Sequence, residues 1–130
     1  MAPPTYRRNG YKLPATPDGS LKGKVALITG ASSGIGTVTA LELASHGVHV
    51  ILACRSATKT QPVLDEIAKK APSDAPKAEC WEVELASIDS VNQLADRFIA
   101  SGLPLHLLIN NAGFAGAAEI TSAVRTRMET

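Results

Sequence analysis

A chain of 130 residues, 45% hydrophobic and 19% charged, has the composition of one ordinary globular domain, near the small end for an enzyme. Its formal net charge of +1 excludes the broad positive field that would draw nucleic acid or an acidic membrane surface. No stretch reaches the roughly 20 apolar residues of a membrane span. Arg7, Arg8 and Lys12 lie among prolines rather than ahead of an apolar run, unlike a secretory signal. Cys54 and Cys80 show no CxxC or Cys/His spacing, so neither a disulfide framework nor a metal site is expected. The expected setting is reducing, intracellular and cytoplasmic.

Residues 1–20 hold Pro3, Pro4, Pro14 and Pro17 with interleaved Gly10 and Gly19, and read as an irregular tail. From Leu21 the pattern changes. Lys24–Thr29 is a branched apolar run that ends in glycines, which suits a strand buried on both faces. A helical period follows Gly34, with Ile35, Val38, Leu41 and Ala44 or Ser45 on one expected inward stripe and Gly47 at its C-terminal end. Val48–Ala53 reads as a second buried strand, and Thr60–Lys70 as a helix with Val63, Leu64 and Ile67 inward. Ala78–Leu85 alternates, so a third strand nearer a sheet edge is expected there. Ser87 has the place of an N-cap for a helix burying Val91, Leu94, Ala95 and Phe98, closed by Gly102. Leu105–Ile109 is a fourth apolar strand, running into Asn110-Asn111-Ala112-Gly113.

Apolar strands alternating with crossover helices imply a parallel sheet covered by helices on both faces. The expected fold is α/β, a Rossmann-type doubly wound sheet truncated at about four strands, in the order 3-2-1-4. Residues 21–113 form the expected domain. Its fourth strand carries no charge, and as an open edge it would invite self-association.

The most informative segment is Thr29-Gly30-Ala31-Ser32-Ser33-Gly34-Ile35-Gly36, because it follows a strand and opens a helix. Glycines there allow a tight turn and a close ligand approach. The free N–H groups and positive dipole end of the helix then face a phosphate. Ser32 and Ser33 add hydroxyls at the same rim.

This TGxxxGxG spacing, with Asn110-Asn111-Ala112-Gly113 after the fourth strand, resembles the short-chain dehydrogenase/reductase family. The resemblance runs from about Leu21 to Gly113. The run TALELASHGVHVILACRS is further similar to members that act on retinoids, steroids and related lipid carbonyls. The resemblance implies that Gly30, Ser32, Ser33, Gly34, Ile35 and Gly36 hold the pyrophosphate and adenosine ribose of a nicotinamide dinucleotide. It also implies that Asn111, Ala112 and Gly113 lie along the adenosine side, with Asn110 holding the strand end together. The family's Asp-Leu pair at the adenine is here Glu84-Leu85, and the extra methylene of Glu84 displaces its acceptor.

NAD selection in such folds uses an acid at the end of the second strand, which accepts from the ribose 2′-OH. Here that place reads Ala53-Cys54-Arg55-Ser56, and the next acid, Asp65, lies within the following helix. Arg55 can pair with a 2′-phosphate, so NADP is expected over NAD.

Carbonyl reduction needs an acid for the forming alkoxide and donors to stabilise it. The resemblance implies a Ser, an Asn and a Tyr-x-x-x-Lys helix beyond the last motif, acting on a small-molecule alcohol or carbonyl. None can be assigned, so no catalytic residue is expected within these 130 residues. The tyrosines are Tyr6 and Tyr11, and no lysine follows Lys77. Residues 114–130 diverge from the family's continuation, although Ala117, Ile120, Val124 and Met128 fit one face of a short helix. A truncated product, an altered reading frame or a fragment would each explain this. Two alternatives to an enzyme then stand: a nucleotide-binding or interaction module, and a product without function. His46, His49 and His106 lack metal-ligand spacing, Trp81 reads as packing, and Asp89 and Asp96 as solvated.

Overall fold

A computed structural model of the chain describes residue 17 and residues 19–113. The expected irregular tail up to residue 16 and the expected short helix in 114–130 lie outside the described residues. The elements are β1 (Val25–Thr29), α1 (Gly34–Ser45), β2 (His49–Cys54), α2 (Ala57–Lys70), β3 (Glu79–Glu82), α3 (Ile88–Ser101) and β4 (Leu107–Ile109). The strands form one sheet in the order β3-β2-β1-β4, with β1 parallel to β2 and β4, and β2 parallel to β3. The expected α/β sheet and its strand order are thus present.

The β1 run VALIT, apolar up to its final threonine, is buried throughout. Its alternate residues divide between two layers. Ala26 and Ile28 join Val50, Leu52 and Cys54 in a cluster with Ala40, Ala44, Val63 and Ile67 of α1 and α2. On the other face, Val25 and Leu27 join Ile51, Ala53, Trp81 and Val83, with Leu94 and Phe98 of α3 packed against them. Trp81 therefore packs as expected, its ring 6.1 Å from that of Phe98, and the Arg97 guanidinium lies 4.2 Å from its centroid.

Four expectations are corrected. Of the expected α1 stripe Ala44 is buried and Leu41 packs against the core, but Ile35 and Val38 are 78% and 67% exposed, and Gly36 and Ala40 complete the buried face instead. The reason is steric: a Cβ on Gly36 would fall 2.6 Å from the Gly30 carbonyl oxygen, so the helix lies too close to the sheet for large side chains. Helix α2 starts at Ala57, not Thr60, because Ser56 accepts from the Lys59 N–H and caps it, leaving Pro62 inside the helix. Strands β3 and β4 are shorter than expected, and Leu108 of β4 is 55% exposed rather than buried. Of the expected α3 stripe only Leu94 and Phe98 reach the sheet, while Val91 and Ala95 stay exposed.

Other details hold. Strand β3 is an edge, Gly102 closes α3 at φ 71°, and Gly47 follows α1 at φ 83°. His106 serves the sheet itself. Its backbone N–H donates to the Val25 carbonyl, and its Nδ1 accepts from the Val25 N–H at 2.8 Å. The ring nitrogen thus continues the β1–β4 ladder where the next carbonyl of β4 would stand. His46 and His49 approach Glu42 and Glu79 at 3.3 and 3.2 Å.

The cap of α3 is testable. Ser87 accepts from the Ser90 N–H at 3.2 Å. Ser87→Ala is expected to cost about 1 kcal/mol in denaturant unfolding. An unchanged midpoint would show that the cap carries no stability.

Candidate functional site

The carboxyl ends of β1 and β4, the turn 30–33 and the start of α1 meet at one rim of the sheet. The three glycines of the turn do different things there. Gly30, at φ 66°, faces Ala112 so closely that a Cβ would lie 2.7 Å from the Ala112 Cα. Gly36 presses α1 onto the same junction, and a Cβ on it would fall 2.5 Å from the Asn111 Nδ2. Gly34 differs: at φ 60° its built Cβ meets no atom of the described residues within 4 Å beyond its own turn of helix. Two glycines are therefore required by packing inside the protein. The third holds a left-handed backbone beside open space.

The same rim contains the N-terminus of α1. Its N-cap, Ser33, is extended and makes no side-chain cap bond, and the first turn has no acidic residue. Helices α2 and α3 are capped by Ser56 and Ser87, and α3 has Asp89 in its first turn. Among the described residues no side chain caps the first N–H groups of α1, which leaves them able to meet an outside acceptor. Ser32, Ser33, Gly34 and Ile35 are all exposed around them. Open backbone at Gly34 and an uncapped helix start fit a pyrophosphate.

The rim is fixed by a residue that sequence reasoning left unassigned. The Thr29 hydroxyl accepts from the backbone N–H groups of Asn111 and Ala112, at 3.1 and 3.0 Å. The Asn111 side chain then donates to the Gly30 carbonyl at 3.1 Å. Asn111 therefore joins the ends of β1 and β4, the role expected of Asn110. Its amide is committed to the protein. Ala112 and Gly113 are exposed beside it. Thr37 completes the turn by donating to the Ala31 carbonyl at 2.8 Å. The signal for Thr29 was a hydroxyl ending an otherwise apolar strand.

The second part of the site lies past β2. Arg55 is exposed directly after Cys54 and makes no ion pair among the described residues. The Ala57 N–H, the first of α2, donates to the Glu82 carboxylate at 3.0 Å. Glu84 and Leu85 follow β3 and are both exposed. The Glu84 Oε1 accepts from the Ala86 N–H, while the Ser90 hydroxyl holds the Glu84 N–H. One Glu84 oxygen is therefore already engaged locally.

Neither cysteine offers a nucleophile here. Cys54 is buried, and burial pushes the Cys80 thiol above its usual range. Among the described residues no three His, Cys, Asp or Glu side chains are placed to hold a metal ion. No helix of the described residues is long and apolar enough to cross a membrane.

Removing the Thr29 hydroxyl tests the junction. Thr29→Val leaves the part-buried Ala112 N–H without its acceptor and the Asn111 N–H with only its local bond to the Ile109 carbonyl, and is expected to cost about 1–3 kcal/mol in urea unfolding. A loss below ~0.5 kcal/mol, the usual scatter of neutral surface changes, would mean that the junction holds without it.

Comparison with known proteins agrees with this geometry. The family model for short chain dehydrogenases matches residues 24–130, past Gly113 where the sequence resemblance stopped. A WW domain-containing oxidoreductase of Gallus gallus is 39% identical over 123 residues, which cover 89% of this chain and 28% of that protein. A polyprenol dehydrogenase of Mus musculus is 42% identical over 106 residues, 82% of this chain and 30% of the relative. The chain thus spans under a third of these relatives. Among solved structures, a metagenomic short-chain oxidoreductase in complex with NADP superposes with a TM-score of 0.66 at 36% identity, over 73% of this chain and 41% of that one. A strand-turn-helix rim of this build, within a sheet of this order and at these identities, has one reading: the chain belongs to the short-chain dehydrogenase family.

Proposed function

We propose that these residues form the NADP-binding part of a short-chain dehydrogenase that moves a hydride between NADP(H) and a small alcohol or carbonyl, lipid-like in character. The observation that carries the reading is the open backbone at Gly34 beside the uncapped start of α1. Gly30, Ser32, Ser33, Gly34, Ile35 and Gly36 would surround the pyrophosphate and ribose. Gly30 and Gly36 act through packing, and the serine hydroxyls and helix N–H groups act as donors. Asn111, Ala112 and Gly113 would border the adenosine, with Glu84 and Leu85 towards the adenine. Arg55 would pair with the 2′-phosphate by charge-assisted hydrogen bonds. Support for NADP comes from that exposed cation and from the NADP complex of the metagenomic relative. Support for a lipid-like substrate comes from the run TALELASHGVHVILACRS and the mouse polyprenol dehydrogenase.

In this reading residues 21–113 are the nucleotide-binding domain, and the setting is intracellular. NADPH, when bound, supplies the hydride. The chain's own residues bind and orient it, while the acid and the oxyanion donors are not found among these 130 residues. Taken alone, then, the chain acts as a nucleotide-binding module. The lack of any Tyr-x-x-x-Lys within it favours this second reading for the 130 residues by themselves. Strand β4, with Leu108 bare and no charge on the strand, is the surface through which it would self-associate.

Two measurements test this. Calorimetric titration is expected to show tighter binding of NADP than NAD. Arg55→Ala should remove the difference, and Gly34→Val should abolish binding of both. Equal NADP affinity in wild type and Arg55→Ala would take Arg55 out of the site. Incubated with NADPH and retinal, steroid or quinone carbonyls, the 130-residue chain is expected to show no saturable turnover. General acid catalysis is worth ~10²–10⁴-fold and oxyanion donors about 10²–10³-fold. Turnover that survives Tyr6→Phe and Tyr11→Phe would reveal an acid elsewhere.

A further inference from the structure

We infer that Glu82 is a specificity-determining residue of the cofactor site: its carboxylate opposes the 2′-phosphate and holds down the NADP preference that Arg55 creates. The inference rests on the NADP reading and deepens it. Along the sequence no acid stands at the end of β2. In the fold one arrives there from the neighbouring strand. Glu82 is the last residue of β3 and pairs in register with Cys54, the last residue of β2. Its carboxylate accepts from the Ala57 N–H at 3.0 Å, which fixes it at the start of α2, two positions past Arg55. The end of the second strand is where such folds hold the adenosine ribose and read its 2′ substituent.

Two effects then act in one direction. The carboxylate places a negative charge beside the position of the 2′-phosphate. It also occupies the first N–H of α2, a donor that a phosphate would otherwise use. The Ser56 hydroxyl takes the Lys59 N–H, so this helix start is closed by the protein's own side chains. The start of α1, in contrast, is left without a side-chain cap. Arg55 and Glu82 make no ion pair with each other, so the guanidinium remains available and the two charges act on the ligand separately. Both side chains are exposed, so their influence is modest and screened by salt.

The probes are 2′,5′-ADP and 5′-AMP, which differ only in the 2′-phosphate. They are titrated calorimetrically into the full chain as wild type, Glu82→Gln and Arg55→Ala. Gln keeps an oxygen for the Ala57 N–H and removes the charge. Glu82→Gln is expected to tighten 2′,5′-ADP about two- to fivefold at low salt. The 5′-AMP affinity should stay unchanged, and the gain should fade near ~1 M salt, where the Debye length is short. Glu82→Met, neutral and of like length, is the second variant should the first not fold, and the same selective gain is expected. Unchanged 2′,5′-ADP affinity, or equal tightening of both probes, overturns the inference. If Arg55→Ala weakens 2′,5′-ADP while Glu82→Gln changes nothing, this inference fails and the Arg55 reading stands. If Glu82→Gln is selective while Arg55→Ala is silent, the Arg55 reading fails and only the opposition of Glu82 to the 2′-phosphate stands.

Discussion

The close approach of Gly30 to Ala112 is the constraint on which the site depends. The two backbones meet so tightly that no side chain fits between them at Gly30. That contact requires the ends of β1 and β4 to be in strict register, which the Thr29 hydroxyl and the Asn111 amide enforce. It also requires α1 to start almost on top of the strand, which Gly36 permits. The small buried face of α1 follows from this, since Ala40 and Ala44 continue the line that Gly36 begins. A tight rim dictates a tight helix. The outward position of Ile35 and Val38 has the same origin.

The three helix starts show how one local device serves different ends. A serine stands at each N-cap, yet only Ser56 and Ser87 bond to their own helices. In those two the N-terminal donors are satisfied and contribute to stability. In α1 no side chain of the described residues caps the donors, a local cost that the other two helices avoid. Sequence alone does not separate the cases, because a serine at the N-cap reads the same whether or not its hydroxyl turns inward.

That difference marks what the sequence made legible. Strand order and the place of the glycine turn came from apolar runs and their punctuation, which are local signals. The α3 ends were readable for the same reason, as Ser87 and Gly102 act on their immediate neighbours. The inward face of α1 was readable at Leu41 and Ala44 but not at its first turns, since helical periodicity favours large apolar residues and cannot register that a backbone contact at Gly36 forbids them. Thr29 and Glu82 were missed because their partners lie far along the chain, at Asn111, Ala112 and Ala57. The strand-end role expected of Asn110 falls to Asn111, because adjacent residues of one type differ only in the direction their side chains take at the strand end.

The bond between Thr29 and the Asn111 N–H joins residues 82 apart. Most other pairings within the sheet and helices close shorter loops, and shorter loops cost less entropy and form sooner. The unit made of β1, α1 and β2 can therefore assemble while β4 is still unplaced. During synthesis, the junction cannot close until Ala112 has left the ribosome, well after the glycine turn has emerged. For that interval Gly30 and Gly36 face a gap where Asn111 and Ala112 will later lie. The rim around the glycine turn is thus among the last parts of this unit to acquire its native form.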